Sequence, residues 1–323
     1  MKFDPAYHLR TNKQVERSLF IELLRRIAPH LGKTTDRYTY VGMGGPYLED
    51  FAMVQAVMGC KKMISLDRYP HVIRRQKFNQ PHCRIELLKK STGRWVEQFN
   101  ALKSKGPLIV WFDHSKDEWR EQLKEVSDLL PKLPPMSILK ISLTCHPNAL
   151  KKGASGVVDR AEKLREIFPD MIDFTGDDTR DDTLYKTLKN IYAEVVGPIF
   201  ADTPIMTFRP LAFYHYRDTT PMLTITGIVG PANKLQRMIQ SAKLDRWSFA
   251  TLDWRNDPLI VSIPDLGIRE RMAIDRMLPD ASAKKILREL RLALAEKREE
   301  SLEIIEAYAR FSKHTPLFIK AAI

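Results

Sequence analysis

The sequence predicts an α/β protein in three layers, with a mostly parallel sheet held between two layers of helices. Three observations carry that expectation. Short apolar runs alternate with amphipathic helical stretches from residue 38 to residue 143. A glycine-rich turn, Gly42-Met43-Gly44-Gly45, closes the first run, and an acid, Asp67, follows the second. Two late strands, at 206–216 and 222–229, are joined by Arg217-Asp218-Thr219-Thr220-Pro221. That link cannot hold a crossover helix, so the two strands are antiparallel.

The elements follow in order. Val15, Leu19, Phe20, Leu23, Leu24 and Ile27 repeat at helical spacing over 14–28, and Pro29 and Gly32 end the stripe. Strands are expected at 38–41, 63–66, 84–88, 107–112 and 137–143, with helices at 47–58, 70–79, 93–103 and 117–130 between them. Repeated βα units imply parallel pairing with helices on both faces. Beyond the fifth strand the rhythm breaks. Helices near 155–168 and 182–196 flank the polar Thr175-Gly176-Asp177-Asp178-Thr179 loop, and the antiparallel pair follows. A helix near 231–243, a strand at 258–263 and helical segments from 265 onward complete the chain. Ile286, Leu287, Leu290 and Leu294 share one helical face, Arg298-Glu299-Glu300-Ser301 is expected to interrupt it, and Leu302, Ile305 and Ala309 resume it. This stripe suits either the chain's own core or a homodimer.

Composition narrows the function classes. Across 323 residues the apolar fraction is 44% and the charged fraction 28%, ordinary for a globular protein. Lys+Arg total 52 against Asp+Glu 40, a net charge of +12 that favours polyanionic partners, nucleic acid foremost. Cys60, Cys83 and Cys145 are odd in number and lack paired C-x-x-C spacing, so neither a disulfide framework nor a zinc ribbon is expected. The charged start and the lack of any apolar run of membrane-spanning length point to a cytosolic protein with no membrane partner.

One place points to a particular chemistry. A strand, a glycine turn, a helix and a second strand ending in a carboxylate form a site for an adenosine-containing cofactor. Backbone without side chains approaches the ligand, and the acid accepts hydrogen bonds from ribose hydroxyls. The carboxyl end of the fourth strand, Trp111-Phe112-Asp113-His114-Ser115, falls in the same crevice. His114 is placed to take a proton at neutral pH, and Asp113 to orient it, to bind a cofactor amine, or to cap the next helix. Lys89 and Lys90 after the third strand either meet an anionic substrate or are solvated. Ten basic residues between Lys61 and Arg94, opposed only by Asp67 and Glu86, form a patch suited to a phosphate backbone. The acids at 170–182 lack the spacing of a calcium loop, so no metal is expected.

The terminal hairpin separates two relatives of this pattern. Dinucleotide dehydrogenases extend the sheet with parallel strands, whereas an antiparallel final strand resembles the class I S-adenosyl-L-methionine (SAM) methyltransferases, from about residue 36 to 230. With Leu9-Arg10-x-Asn12-Lys13, Gly42-x-Gly44-Gly45 and Phe112-Asp113-His114 the chain looks similar to a bacterial family of O-methyltransferases. The resemblance implies a Rossmann-like three-layer αβα fold with a seven-stranded sheet, its last strand antiparallel, plus a helical C-terminal extension. It implies an N-terminal helical lid at 1–35, a SAM-binding domain at 36–230 with a helical insertion at 145–204, and the extension at 231–323. Tyr40, Gly42, Met43, Gly44, Gly45, Asp67, Arg68 and Asp113 would then hold SAM. Asp113 and His114 would serve methyl transfer, and Arg10, Asn12 and Lys13 would contact substrate. Tyr40 stands where this superfamily has an acid, and Pro46 displaces its third glycine. The motifs of amino-methylating and cytosine-C5 enzymes are absent. Thr144-Cys145 matches the latter only in part, so Cys145 reads as a small buried thiol and oxygen as the default acceptor. The alternative is a non-catalytic module of the same fold that binds nucleic acid or a protein through its basic surface.

Overall fold

A computed structural model describes residues 10–32, 34–100, 102, 106–150, 159–171, 174–203 and 205–316. Helix α1 spans Thr11–Ile27, and the alternating region follows it. Its members are β1 (Thr39–Gly42), α2 (Glu49–Met58), β2 (Lys62–Leu66), α3 (Pro70–Asn79) and β3 (Ile85–Leu88). Next come α4 (Thr92–Gln98), β4 (Leu108–Asp113), α5 (Trp119–Leu129) and β5 (Ile138–Thr144). Helices α6 (Arg160–Ile167) and α7 (Leu184–Val196) precede the hairpin of β6 (Met206–Arg217) and β7 (Pro221–Pro231). Helix α8 (Ala232–Ser241), strand β8 (Leu259–Val261) and helices α9 (Ile268–Asp275), α10 (Ala283–Leu290) and α11 (Arg298–Phe311) complete the order. Among the described residues no helix is long and apolar enough to cross a membrane.

The strands form one eight-stranded sheet in the order β3-β2-β1-β4-β5-β7-β6-β8. Pairing is parallel from β3 through β5, and β7 joins β5 antiparallel with Ile138 opposite Ile228 and Thr144 opposite Met222. The expected seven strands become eight because the short strand foreseen at 258–263 takes the edge position beside β6. Strand β1 lies between β2 and β4, so successive crossovers diverge there. In an open α/β sheet, that reversal leaves a crevice at the carboxyl ends of the strands.

Side-chain alternation assigns the two faces. Val41, Ile64, Val110, Phe112 and Ile141 pack in one core with Trp95 of α4, Leu123 and Val126 of α5, and Leu188 and Tyr192 of α7. On the other face the Tyr40 ring meets Phe51 of α2 edge-on at 4.7 Å, and Trp111 meets Phe20 of α1 at 5.2 Å. Lys140 of β5 is buried on this second face, its Nζ 3.7 Å from the Trp111 ring centroid and 4.3 Å from that of Phe20. The two aromatic faces offset part of the cost of burying the cation.

The chain divides into two compact units, Phe20–His215 with Thr219–Leu259, and Met1–Leu19 with Tyr216–Asp218 and Ile260–Ile323. These divisions fall within α1, within β6, in the link between β6 and β7, and within β8, rather than at 35/36 and 230/231. In the smaller unit Ile274, Ile286, Ile305 and Tyr308 form a core with Leu287, Leu290 and Leu294 packed against it, so the stripe read from the sequence is occupied within the chain. Arg298-Glu299-Glu300-Ser301 opens α11 instead of interrupting a helix. The break comes earlier, at Arg291, which has φ +52°. Glu299 and Glu300 suit a first turn, where helix N–H groups favour negative charge.

Candidate cofactor and methyl-transfer site

The turn after β1 is tight and firmly held. Gly44 and Gly45 have φ of +47° and +52°, a region that other L-residues enter only at a cost. A Cβ on Gly44 would lie 2.5 Å from Leu48 Cδ2 and 2.8 Å from Phe51 Cε2, so this position tolerates no side chain. Helix α3 pins the turn from the other side. Gln76 Nε2 donates to the Gly45 carbonyl at 2.8 Å, Asn79 Nδ2 to that of Pro46 at 2.9 Å, and Arg75 to the Tyr47 hydroxyl at 2.8 Å. Gln76 is itself buried and accepts from Ser65 Oγ. These glycines answer first to the protein's own packing, which fixes the shape of the turn before any ligand arrives.

Beneath the turn the structure supplies an acid that position 40 lacks. The Tyr40 hydroxyl donates to Asp50 in the first turn of α2, and both residues are buried. A Cβ on Gly42 would stand 2.8 Å from the Tyr40 hydroxyl and 3.2 Å from Asp50 Oδ2. The carboxylate thus reaches the glycine turn from ten residues further on. The sequence signal is Glu49-Asp50 at the start of the following helix, where acids are favoured by the N-terminal dipole.

Asp67 follows β2 at the same edge. Its Oδ1 accepts the Tyr69 N–H at 2.7 Å, setting the chain for Pro70 and α3, while its second oxygen makes no hydrogen bond among the described residues. Partial burial pushes the carboxyl upward, and the Tyr69 N–H opposes that shift. Asp67 therefore does what a helix-start residue does and still presents an open acceptor beside the glycine turn. Arg68 and Tyr69, both exposed, stack on each other with the guanidinium carbon 5.0 Å from the ring centroid.

The ends of β4 and β5 differ from expectation. Alternation sends Asp113 to the face of Trp111 and His114 to the face of Phe112. A carboxylate and an imidazole therefore do not project side by side. Asp113 is half-buried opposite Ser142. His114 is 8% exposed, its N–H donates to the Ser142 carbonyl at 3.0 Å, and its ring meets Phe112 edge-on at 5.9 Å. It is neither solvated nor open to the outside, because Nε2 faces Glu125 Oε2 of α5 at 3.7 Å. Burial pushes the imidazole down to about 4 against the weaker pull of Asp113 and Glu118. Burial pushes the Glu125 carboxyl up, opposed by hydrogen bonds from Thr92 and the Gly93 N–H. His114 is neutral at physiological pH.

The three N-terminal residues belong to the smaller unit. Asn12 is fully committed there. Its Nδ2 donates to the Arg217 carbonyl at 2.8 Å, and its Oδ1 accepts the Ile263 N–H at 2.8 Å. Asp218 caps α1 by accepting the N–H groups of Asn12 and Lys13, each at 3.0 Å. Lys13 is buried and Arg10 half-buried. Leu9 lies outside the described residues. In the acidic loop Asp177 and Asp182 pair with Arg180, and Asp178 accepts from Thr175. Cys145 is buried, as a small thiol would be.

The family described as "Putative O-methyltransferase" matches residues 5–323. No curated protein matches the chain. An rRNA methylase from Streptococcus thermophilus is similar at 14% identity and a TM-score of 0.37, covering 66% of this chain and 95% of that one. An O-methyltransferase family protein from Burkholderia thailandensis has 14% identity and a TM-score of 0.34 over 67% of this chain and 60% of that one. A precorrin-6y C5,15-methyltransferase from Geobacter metallireducens has 10% identity and a TM-score of 0.33 over 64% and 86%. Likeness at this level says nothing of substrate. The chain belongs to the family so described and is a methyltransferase with a SAM-type cofactor.

Proposed function

We propose that this family member transfers the methyl group of SAM to an oxygen acceptor, a hydroxyl or a carboxylate. The observation that supports the reading most is Asp67, half-buried beside a glycine-rich turn and holding one oxygen without a hydrogen bond among the described residues. That oxygen suits a ribose hydroxyl, while the backbone of Gly42–Gly45, with Met43 between, suits the methionine part. Asp50, held by Tyr40, supplies a buried carboxyl under that turn. When bound, the cofactor supplies a methyl group on a sulfonium that is already strongly electrophilic. The chain's own residues then have to position the acceptor and, where it is a hydroxyl, remove its proton. On this reading Asp113, at the end of β4, takes that proton. His114, neutral and buried, acts behind it as a positioning residue, holding the end of β4 against α5.

The test is calorimetry with SAM's demethylated product, followed by transfer of labelled methyl to candidate acceptors. Binding that weakens in Asp67→Asn, with product that is an ether or a base-labile ester, supports the reading. Label recovered only in amines would replace oxygen by nitrogen as the acceptor, and no binding of either cofactor form would defeat the reading altogether.

A further inference from the structure

Helix α3 carries a solvent face that the cofactor reading does not use. His71, Arg74, Arg75 and Phe78 are all exposed at the i, i+3, i+4, i+7 spacing that aligns side chains on one face. Phe78 is 90% exposed, and the nearby rings of Tyr69 and Tyr47 are 45% and 42% exposed. Each tyrosine already lies under a guanidinium, Arg68 over Tyr69 at 5.0 Å and Arg75 over Tyr47 at 5.1 Å. Tyr69 and His71 further approach with centroids 5.6 Å apart.

The charge around these rings is free to act. Lys61 pairs with Asp36 at 2.5 Å and Lys62 with Glu86 at 3.6 Å, so those two cations are partly spent. Among the described residues Arg68, Arg74, Arg75, Lys77, Lys89 and Arg94 have no carboxylate within ion-pair distance, and all are exposed. They lie in the link before α3, on α3, just after β3 and at the start of α4, around the β3 edge of the sheet.

We infer that this face binds single-stranded nucleic acid. Unpaired cations follow a phosphate backbone, and exposed rings interleaved with guanidinium groups stack on unpaired bases. A duplex hides its base faces and would use only the cations. A membrane surface would require an apolar helix face, and α3 offers a single large apolar side chain there. On the oxygen-acceptor reading, on which this further step rests, the strand is RNA, because each of its nucleotides carries a 2′-hydroxyl that DNA lacks.

The test uses the full chain without cofactor and fluorescence anisotropy with a labelled twelve-nucleotide RNA, its duplex, and vesicles of anionic lipid. The single strand binds most tightly. Phe78→Ala weakens it about tenfold, the loss of one stacked base, while leaving duplex binding unchanged. Arg74→Ala lowers the slope of log affinity against log salt by about 0.7, one phosphate contact. Both variants keep wild-type affinity for SAM's demethylated product, so a failure here is distinguishable from a failure of the methyl-transfer reading. Equal binding of duplex and single strand, insensitivity to Phe78→Ala, or preferential binding of the vesicles would each overturn the inference. Equal affinity for DNA and RNA strands would overturn only its extension to RNA.

Discussion

At the ends of β1 and β2 the chain leaves a left-handed glycine turn and a half-buried aspartate with one oxygen unused. At the ends of β4 and β5, on the same edge, it turns an imidazole inward against Glu125. Tyr192 lies fully buried, and burial first and Glu125 second push its hydroxyl upward. The first half is shaped by backbone, and side chains serve only to hold it. Gln76, Asn79 and Arg75 all bond to the turn from α3. The second half is shaped by side chains whose polar groups are buried. The first presents backbone and one carboxylate oxygen at the strand ends, whereas the second packs buried side chains around the end of β4.

The contrast breaks most readily at Gly44. Gly44→Ala combines a positive φ with a contact of 2.5 Å, so a loss of about 3 kcal/mol is expected from strain and overpacking together. Urea unfolding would measure it, with loss of cofactor binding in the same variant. Gly32, whose φ is +71° with nothing near its Cβ position, provides the control. Its alanine variant carries the backbone strain alone and keeps binding.

At the other half the handle is pH. The unfolded chain protonates His114 near its ordinary 6.5, the folded chain only near about 4. Between those values the unfolded state binds more protons, so stability falls as the solution is acidified, by at most about 3 kcal/mol. Glu125 works in the opposite sense. Its raised carboxyl takes up a proton more readily when folded, which favours the native state as pH falls. Comparing unfolding of the wild type with His114→Gln at pH 7 and pH 5 isolates the imidazole: the wild type loses more stability than the variant over that interval, and an equal loss in both proteins would contradict its burial. Tyr40→Phe gives the smallest effect. It removes the hydroxyl donated to Asp50 and is expected to cost about 1.5 kcal/mol as one buried bond to a charged group, read from the shift in urea midpoint.

The same two halves were unequally legible in the sequence. The glycine turn, Asp67 and the strand preceding each follow from local patterns, and the antiparallel β7 follows from a link too short for a helix. Those signals are close in sequence. Asp50 was missed because its relation to Tyr40 depends on α2 folding back over β1, and a helix position carries no mark of that. The inward turn of His114 was equally hidden, since alternation within β4 says that it opposes Asp113 but not what α5 places against it. Asn12 looked like a substrate contact because it is polar and near the first helix. Its partners, Arg217 and Ile263, are more than 200 residues away. The eighth strand was seen as a strand, but its place beside β6 was not.

The central claim is that Asp67 holds the cofactor's sugar from the backbone-built half of the edge. Isothermal titration of SAM's demethylated product into wild type and Asp67→Asn tests it directly. Asn keeps the oxygen that accepts from Tyr69 and removes the negative charge, so the account predicts unchanged stability with affinity at least tenfold weaker, about 1.4 kcal/mol. Equal affinity in the two proteins would contradict it.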